Sequence, residues 1–213
     1  MDEKKEEILK KANRIFHTYG IKSVSMEDIS KELRISKKTL YQYVNNKTDL
    51  LQKVIDYQFY KDENRIVQVI NNNYNAIDTL IEVSKLINEE LKEFKPNIIM
   101  FDLKKYYPDI LEYLIDKKRR HFYDYIKSNL EQGIKEGLYR NDLNIDLITK
   151  LYIRKMEDMH DPDGFLNGNV SFEKIFEVMF DNHIRGIANE KGINYYEKKR
   201  QVLKFNKKKK KIA

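Results

Sequence analysis

Cysteine is absent from this chain of 213 residues, and proline and glycine are scarce, with three and seven residues. A chain without cysteine forms no disulfide, thiolate zinc site or iron–sulfur cluster, and it has no cysteine nucleophile. Because proline and glycine are the residues that most disfavour helices, and Glu, Lys, Leu and Ile dominate, the composition predicts an all-α fold.

Long apolar runs are missing as well. None approaches the roughly 20 residues that a membrane-spanning helix needs. The first seven residues, MDEKKEE, lack the cationic start and the apolar core of a secretory signal. These absences predict a cytoplasmic protein that has no membrane partner.

Sequence motifs of catalysis and metal binding are not found either. There is no G-x-S-x-G, no H-E-x-x-H and no glycine-rich phosphate loop. The four histidines show neither i,i+4 pairing nor clustered acids at ligand spacing. Met156 and Met159, beside His160, have the helical spacing of core residues. We therefore expect no enzyme, no catalytic or metal-binding residue and no cofactor.

Charge is distributed unevenly along the chain. Of 41 basic residues, nine lie in residues 198–213, which contain no acid, while the remainder has 32 basic and 34 acidic residues. Lys207–Lys211 is a run of like charges that repel one another, so we expect a flexible basic tail over residues 196–213. Such a tail is either a solubilising end or a cationic arm that contacts phosphates.

Short helices are predicted at the start of the chain. One apolar stripe of helical period is formed by Ile8, Leu9, Ala12, Ile15, Phe16 and Tyr19. Gly20 ends this helix. Ser25 and Ser36 have the character of N-caps, which predicts a second helix to about Leu33 and a third from Lys37 to Tyr43.

Six longer helices follow, at about 48–72, 75–94, 97–106, 108–137, 145–160 and 171–190. Prolines mark three of the breaks, at residues 95–97, 107–108 and 161–164, because the proline ring disfavours helix in the residue before it.

Residues 25–47, SMEDISKELRISKKTLYQYVNNK, have the ingredients of a helix-turn-helix: a short helix, a tight turn and a second helix with polar side chains. The buried side is expected to contain Ile29, Leu33, Ile35, Leu40 and Val44. The candidates for contact with base edges in a major groove are Lys37, Lys38 and Gln42. The candidates for contact with phosphates are Thr39, Tyr41, Tyr43 and Lys47. Plain solvated charge for the lysines and helix packing for the tyrosines are the alternatives.

At these residues the chain resembles the TetR (tetracycline repressor) family of bacterial transcription regulators. The resemblance covers roughly the first 50 residues and rests on the stripe before Gly20, Asp28-Ile29, Ile35-Ser36, Thr39-Leu40-Tyr41, Tyr43, Lys47 and Leu50. The remaining residues are similar only in length and helical pattern. The resemblance implies a homodimer that binds a palindromic operator in double-stranded DNA and releases it when a small-molecule effector fills a pocket.

The resemblance also implies a dimer interface on the helices predicted at 145–160 and 171–190. Both carry more apolar residues than one core-facing stripe requires, and the interface candidates are Leu151, Tyr152, Phe176, Met179, Phe180 and Ile184.

An effector pocket is expected between the helices that start near 97, 108 and 145. Its candidate walls are Phe101, Tyr106, Phe122 and Tyr125, although plain core packing also accounts for such aromatic residues.

Two positions depart from the family pattern. Arg34 stands where the family often has a turn glycine, and a left-handed backbone there costs a non-glycine residue on the order of 1 kcal/mol. Lys38 replaces a residue that is often small, so base preference cannot be transferred from any relative.

Three domains are predicted: a helix-turn-helix DNA-binding domain (1–47), a helical effector-binding and dimerisation domain (48–195) and the basic tail (196–213). The predicted function is that of a sequence-specific transcriptional regulator, and more specifically a repressor. The alternative is an all-helical interaction protein whose basic tail binds RNA or an anionic membrane surface.

Overall fold

Helices dominate the computed structural model, which describes the backbone of residues 2–93, 96–160 and 172–209. Within these ranges, side chains are described for residues 2–87, 98–158 and 174–200. Apart from one isolated bridge between Tyr139 and Ala188, the described backbone contains no β pairing. The predicted all-α fold is therefore confirmed. None of the described helices combines the length and the apolar character needed to cross a bilayer.

The helices are α1 (Glu3–Tyr19), α2 (Met26–Glu32), α3 (Lys37–Tyr41), α4 (Lys47–Ile70), α5 (Ala76–Glu93), α6 (Pro96–Tyr106), α7 (Pro108–Lys135), α8 (Ile145–His160), α9 (Phe172–Ile187) and α10 (Glu190–Lys209). Pro96 and Pro108 are each the first residue of a helix. A proline suits this position because the first N–H of a helix has no partner within the helix. The break predicted at residues 161–164 lies outside the described residues.

The last helix, α10, was not predicted. The structure places residues 196–200, where the flexible tail was expected to begin, inside it. Tyr196 is buried, its hydroxyl donates a hydrogen bond to Asp181 over 3.1 Å, and Arg200 lies 3.2 Å from the same carboxylate. Asp181 belongs to α9, and a count of local charge along the sequence does not reveal its contacts with α10.

The chain packs as two compact units, and each contains segments that are distant in sequence. Unit 1 comprises Met1–Gln68 and Leu86–Lys118, and unit 2 comprises Val69–Lys85 and Arg119–Ala213. All three boundaries, at residues 68/69, 85/86 and 118/119, fall within helices, so these units describe backbone packing rather than separable segments of chain. The three domains expected from the sequence, 1–47, 48–195 and 196–213, stay a prediction.

The core of unit 1 contains the apolar face of α1. Five of the six stripe residues are buried, and Tyr19, at the end of the helix, is 66% exposed. The helix packs against α6. Its buried residues join one cluster with Leu40 of α3, Leu50 of α4 and Leu103 of α6. The stripe therefore connects the helix-turn-helix segment to helices that follow much later in the sequence.

Tyr139 is buried in the interior of unit 2, in a hydrogen-bonded chain with Asn129 and Ala76. Its hydroxyl donates to the Asn129 side-chain oxygen over 3.1 Å, and the Asn129 amide donates to the carbonyl of Ala76 over 2.8 Å. Burial raises the pKa of Tyr139, so the ring stays neutral. The ring lies directly over Gly133 of α7, where an added Cβ would come within 2.0 Å of it.

We expect Gly133→Ala to lower the free energy of unfolding by about 1–3 kcal/mol, because the methyl group would displace a buried ring from its hydrogen bond. The matched control is Gly186→Ala, which lies near the end of α9 with nothing within 4 Å of the added methyl group. That change should raise the free energy of unfolding by up to about 1 kcal/mol. Chemical denaturation followed by circular dichroism measures both, and equal effects would contradict the packing described for Tyr139.

Candidate nucleic-acid interface

Hydroxyl caps fix the starts of both helices of the helix-turn-helix. The Ser25 hydroxyl accepts a hydrogen bond from the Asp28 N–H over 3.1 Å, and the Asp28 carboxylate accepts one from the Ser25 N–H over 2.9 Å. This reciprocal pair is a capping box at the start of α2. The Ser36 hydroxyl accepts from the Thr39 N–H over 3.0 Å at the start of α3. The predicted caps are therefore confirmed.

The turn between α2 and α3 contains a left-handed residue. Arg34 has φ of 54°, the conformation that the missing turn glycine would adopt without strain. The N–H of Ile35 reaches back to the carbonyl of Ser30 over 3.0 Å, which closes the turn. The expected backbone strain at Arg34, on the order of 1 kcal/mol, is therefore present in the fold.

Apolar packing sets the angle between α2 and α3. Ile29 and Leu40 are fully buried, and Leu33 and Val44 are 5% and 2% exposed. Ile35 is partly buried against the same cluster. The buried side predicted from the sequence is confirmed, and its burial leaves the opposite side of α3 in contact with solvent.

The outward side of α3 carries Lys37, Lys38, Tyr41 and Gln42, all of them exposed. The helix ends at Tyr41, two residues earlier than predicted. The N–H groups of Gln42 and Tyr43 bond to carbonyls three residues back, at 3.2 and 3.0 Å, which tightens the last turn. Gln42 keeps helical backbone angles, so it continues the α3 surface.

Lys37 is paired with an acid of the preceding helix. Its ammonium lies 2.8 Å from the Glu27 carboxylate, which also lies 3.0 Å from Lys31. The hydrogen bond from Lys37, followed by that from Lys31, lowers the pKa of Glu27, and Glu27 in turn raises the pKa of Lys37. Both partners are exposed, so DNA can compete for Lys37 at little cost. The ion pair between Lys37 and Glu27 joins α3 to α2. The i,i+3 and i,i+4 spacings, which predict pairs within one helix, do not predict it.

The four candidates for phosphate contact differ in accessibility. Tyr41 is 47% exposed, whereas Thr39, Tyr43 and Lys47 are half-buried. The Thr39 hydroxyl lies 2.8 Å from that of Ser36, and Tyr43 packs against the core of unit 1. Of the four, Tyr41 therefore presents the most surface to a ligand.

A second basic group accompanies Lys47. The Lys47 ammonium donates to the carbonyl of Lys22 over 3.4 Å, and burial, followed by the charge of Lys22, lowers its pKa. The Lys22 N–H donates to the Asp102 carboxylate of α6 over 2.8 Å, while its ammonium lies 4.9 Å from the centre of the Tyr106 ring. Sequence reasoning missed Lys22, because only the fold brings it beside Lys47.

The predicted effector-pocket residues are divided between the two units. Phe101 and Tyr106 of α6 belong to unit 1, where they are 54% and 38% exposed, with the Lys105 ammonium 5.5 and 5.4 Å from their ring centres. Phe122 and Tyr125 of α7 are half-buried in unit 2. The pocket between these aromatic residues stays a prediction. Within the described side chains, histidines and acids form no cluster that could hold a metal ion.

The predicted dimer residues also fall into two groups. Leu151 is 54% exposed, and Met179 and Phe180 are half-buried. Tyr152, Phe176 and Ile184 are buried within the chain itself, where the Tyr152 ring stacks on His183 with 3.8 Å between centres. These three side chains contribute to the packing of α8 and α9, and the interface stays a prediction.

Comparison with known proteins matches residues 8–54, which include most of α1 and the helix-turn-helix, to the sequence model of bacterial regulatory proteins of the tetR family. Over 166 residues the chain is 24% identical to the HTH-type transcriptional regulator YhgD of Bacillus subtilis (strain 168), and the match covers 73% of this chain and 84% of YhgD.

Solved structures of the same fold extend the similarity beyond the matched segment. A transcriptional regulator from Saccharomonospora viridis, in complex with choline, has a TM-score of 0.71 at 18% identity over 89% of this chain and 100% of its own. AibR, in complex with isovaleryl coenzyme A and operator DNA, has a TM-score of 0.57 at 18% identity over 84% of this chain and 97% of its own. Together with the helix-turn-helix geometry, these matches identify residues 8–54 as a segment typical of the tetR family of bacterial regulatory proteins, and they support a transcriptional regulator of that family.

Proposed function

We propose that the chain is a cytoplasmic repressor that binds a palindromic operator as a homodimer and releases it when a small molecule binds. The observation that carries the proposal is the α3 surface, where Lys37, Lys38, Tyr41 and Gln42 face solvent above a buried Leu40. The structure of AibR with operator DNA and isovaleryl coenzyme A, and that of the Saccharomonospora protein with choline, support a ligand-responsive function. Enzymatic activity is not part of the proposal, because the family consists of regulatory proteins.

Base readout is assigned to Lys37, Lys38 and Gln42. An α-helix fits the major groove of B-DNA, and side chains on its exposed face can then reach donors and acceptors on base edges. Gln42 can form a bidentate pair with adenine, whereas lysine favours guanine. The short α3 places all three side chains within six residues, which suits a compact half-site.

Phosphate contact is assigned to Thr39, Tyr41, Tyr43 and Lys47, with Lys22 added. Hydroxyl and ammonium groups donate to phosphate oxygens without reading sequence. Because the charge of Lys22 contributes to lowering the pKa of Lys47, the two ammonium groups lie within electrostatic range of each other, and a phosphate near one also attracts the other.

The homodimer is assigned to α8 and α9, which pack against each other. Leu147 and Leu151 are 51% and 54% exposed and lie one turn apart on α8, and Val178 of α9 is 49% exposed. A two-fold interface repeats the same patch on both subunits, so a few exposed apolar residues become a continuous buried surface. This symmetry would place two α3 helices on successive major grooves of one DNA face.

Gln42→Ala should relax sequence preference at one symmetric pair of operator positions, at a cost of about 1–3 kcal/mol for each good base contact. Lys47→Ala should instead weaken binding to operator and random DNA alike, and reduce the log–log salt slope by roughly 0.9 for each phosphate that is no longer neutralised. Selection of binding sites from a random duplex pool, followed by titration at several salt concentrations, measures both effects. An equal decrease in affinity for every sequence with Gln42→Ala would remove the assignment of base readout.

Glu27→Gln should strengthen binding to operator and random DNA by a similar, modest factor, because it frees the Lys37 ammonium and removes a negative charge. The control is Glu32→Gln, the same change at another exposed position of α2. When Lys37 is also replaced by Gln, the increase in DNA affinity caused by Glu27→Gln should become smaller. The effect of Glu32→Gln on DNA affinity should be the same with and without Lys37→Gln. If both acids behave alike in the Lys37→Gln background, the ion pair does not restrain Lys37.

Leu151→Glu combined with Val178→Glu should give monomers in analytical ultracentrifugation and a large decrease in operator affinity, since charged groups would face each other across the two-fold axis. Both positions are exposed in the single chain, so the fold should be retained. Tyr60→Glu on α4, 60% exposed, is the control for an added surface charge and should leave the dimer intact. A dimeric double variant would show that the interface lies on another surface.

A further inference from the structure

We propose that a cavity within unit 1 is the effector site of this regulator and that its ligand is a small, uncharged, largely apolar molecule. The cavity has a volume of about 210 Å³ and is lined by residues of α1, α4, α6 and α7 together with Ile21 from the loop after α1. Its lining includes none of the four aromatic residues that the sequence indicated. The regulatory part of the proposal rests on the proposed function, whereas binding of the ligand does not.

The lining of the cavity is mostly apolar. Ten of its fifteen lining residues have apolar side chains, and each helix supplies at least one: Phe16 from α1, Val54 from α4, Leu103 from α6 and Leu114 from α7. A cavity of about 150 Å³ is large enough to bind benzene. A cavity of 210 Å³ therefore suits a ligand slightly larger than benzene, such as a substituted ring or a small fused pair of rings. It is too small for a nucleotide-sized effector.

The polar groups of the lining favour a ligand without charge. Burial lowers the pKa of His17 to about 4, so at neutral pH its ring carries no charge that could pair with an ionic ligand. Asn13 donates to Gln58 over 3.2 Å, and Gln58 donates to Asp62 over 2.7 Å. Two further lining residues, Asp62 and Lys118, carry opposite charges. An ion would therefore lose its hydration without a net compensating charge, while a single hydroxyl, carbonyl or N–H group could bond within this lining.

The position of the cavity links a ligand to the DNA-binding surface. Met100 and Leu103 of α6 line it, and Asp102 between them accepts the hydrogen bond from the Lys22 N–H. Phe16 lines it from α1, whose buried face joins the cluster that includes Leu40 of α3. A ligand that separates α1 from α6 would therefore disturb Lys22 and the support of α3 together. It would shift the DNA equilibrium only through a difference in affinity between the bound and free arrangements.

Binding is tested without DNA, with indole and benzyl alcohol as uncharged probes, and with indole-3-carboxylate and tryptamine as charged comparators. Isothermal titration and thermal unfolding of the full chain should show saturable, single-site binding of an uncharged probe, and at least tenfold weaker binding of the charged ones.

Leu114→Trp fills the cavity from α7 and should weaken that binding at least tenfold. Leu111→Trp is the matched control, because Leu111 lies one turn earlier on α7, is also partly buried against the core and does not line the cavity. It should leave the dissociation constant within about twofold. If Leu114→Trp does not fold, Met100→Phe, another lining position, replaces it as the cavity-filling variant.

Failure to bind either uncharged probe overturns the proposal, as does equal binding by the cavity-filling variant and wild type. Regulation is tested separately, on the operator obtained by selection. A saturating uncharged probe should weaken operator binding at least tenfold in wild type and in Leu111→Trp, and should have no effect in the cavity-filling variant. Unchanged operator affinity with the cavity occupied overturns the regulatory part. If no operator is selected, the proposed function fails, and the binding result is unaffected.

Discussion

Burial of the apolar face of α1 is the contact on which unit 1 depends. Phe16 and Ile15 of this helix pack in the same cluster as residues of α2, α3, α4 and α6, so one amphipathic helix supports both the DNA-binding segment and the helices behind it. At about 25 cal/mol per Å² of apolar surface removed from water, such an interface outweighs any exposed ion pair in the unit. The cavity lies beside this contact, where α1 and α6 face each other without filling all the space between them.

Charged groups adjust the DNA-binding surface and contribute little to the stability of the fold. Lys37 forms an ion pair with Glu27, and Lys47 donates a hydrogen bond to the Lys22 carbonyl. Two of the cations proposed to contact DNA are therefore oriented in the protein without DNA. A side chain that is already oriented loses less conformational entropy when DNA binds. Releasing Lys37 from Glu27 costs little free energy, because a DNA phosphate takes the place of the carboxylate. The proposed interface is therefore partly preorganised, and the Lys37 ammonium can still exchange Glu27 for a phosphate of DNA.

Local sequence rules predicted the helices, the caps and the buried side of the helix-turn-helix, because each depends on residues within one or two turns of one another. The family resemblance, rather than these rules, identified Arg34 as the strained turn residue. They failed where the partner is distant: α10 is held partly by Asp181, Lys22 is positioned by Asp102, and Lys37 is paired across two helices. The cavity shows the same limit, since its walls come from four helices and no single helix shows an unusual pattern.

The hydrogen bond between the Lys22 N–H and Asp102 joins residues 80 positions apart through a single backbone amide. Such an amide exchanges its proton with water only when the loop after α1 separates from α6. The hydrogen-exchange rate of this amide therefore reports how often the loop after α1 separates from α6. It can be measured from one amide resonance in an NMR spectrum of the whole protein. Because the neighbouring carbonyl of Lys22 accepts from Lys47, the same resonance also senses the state of the DNA-facing side.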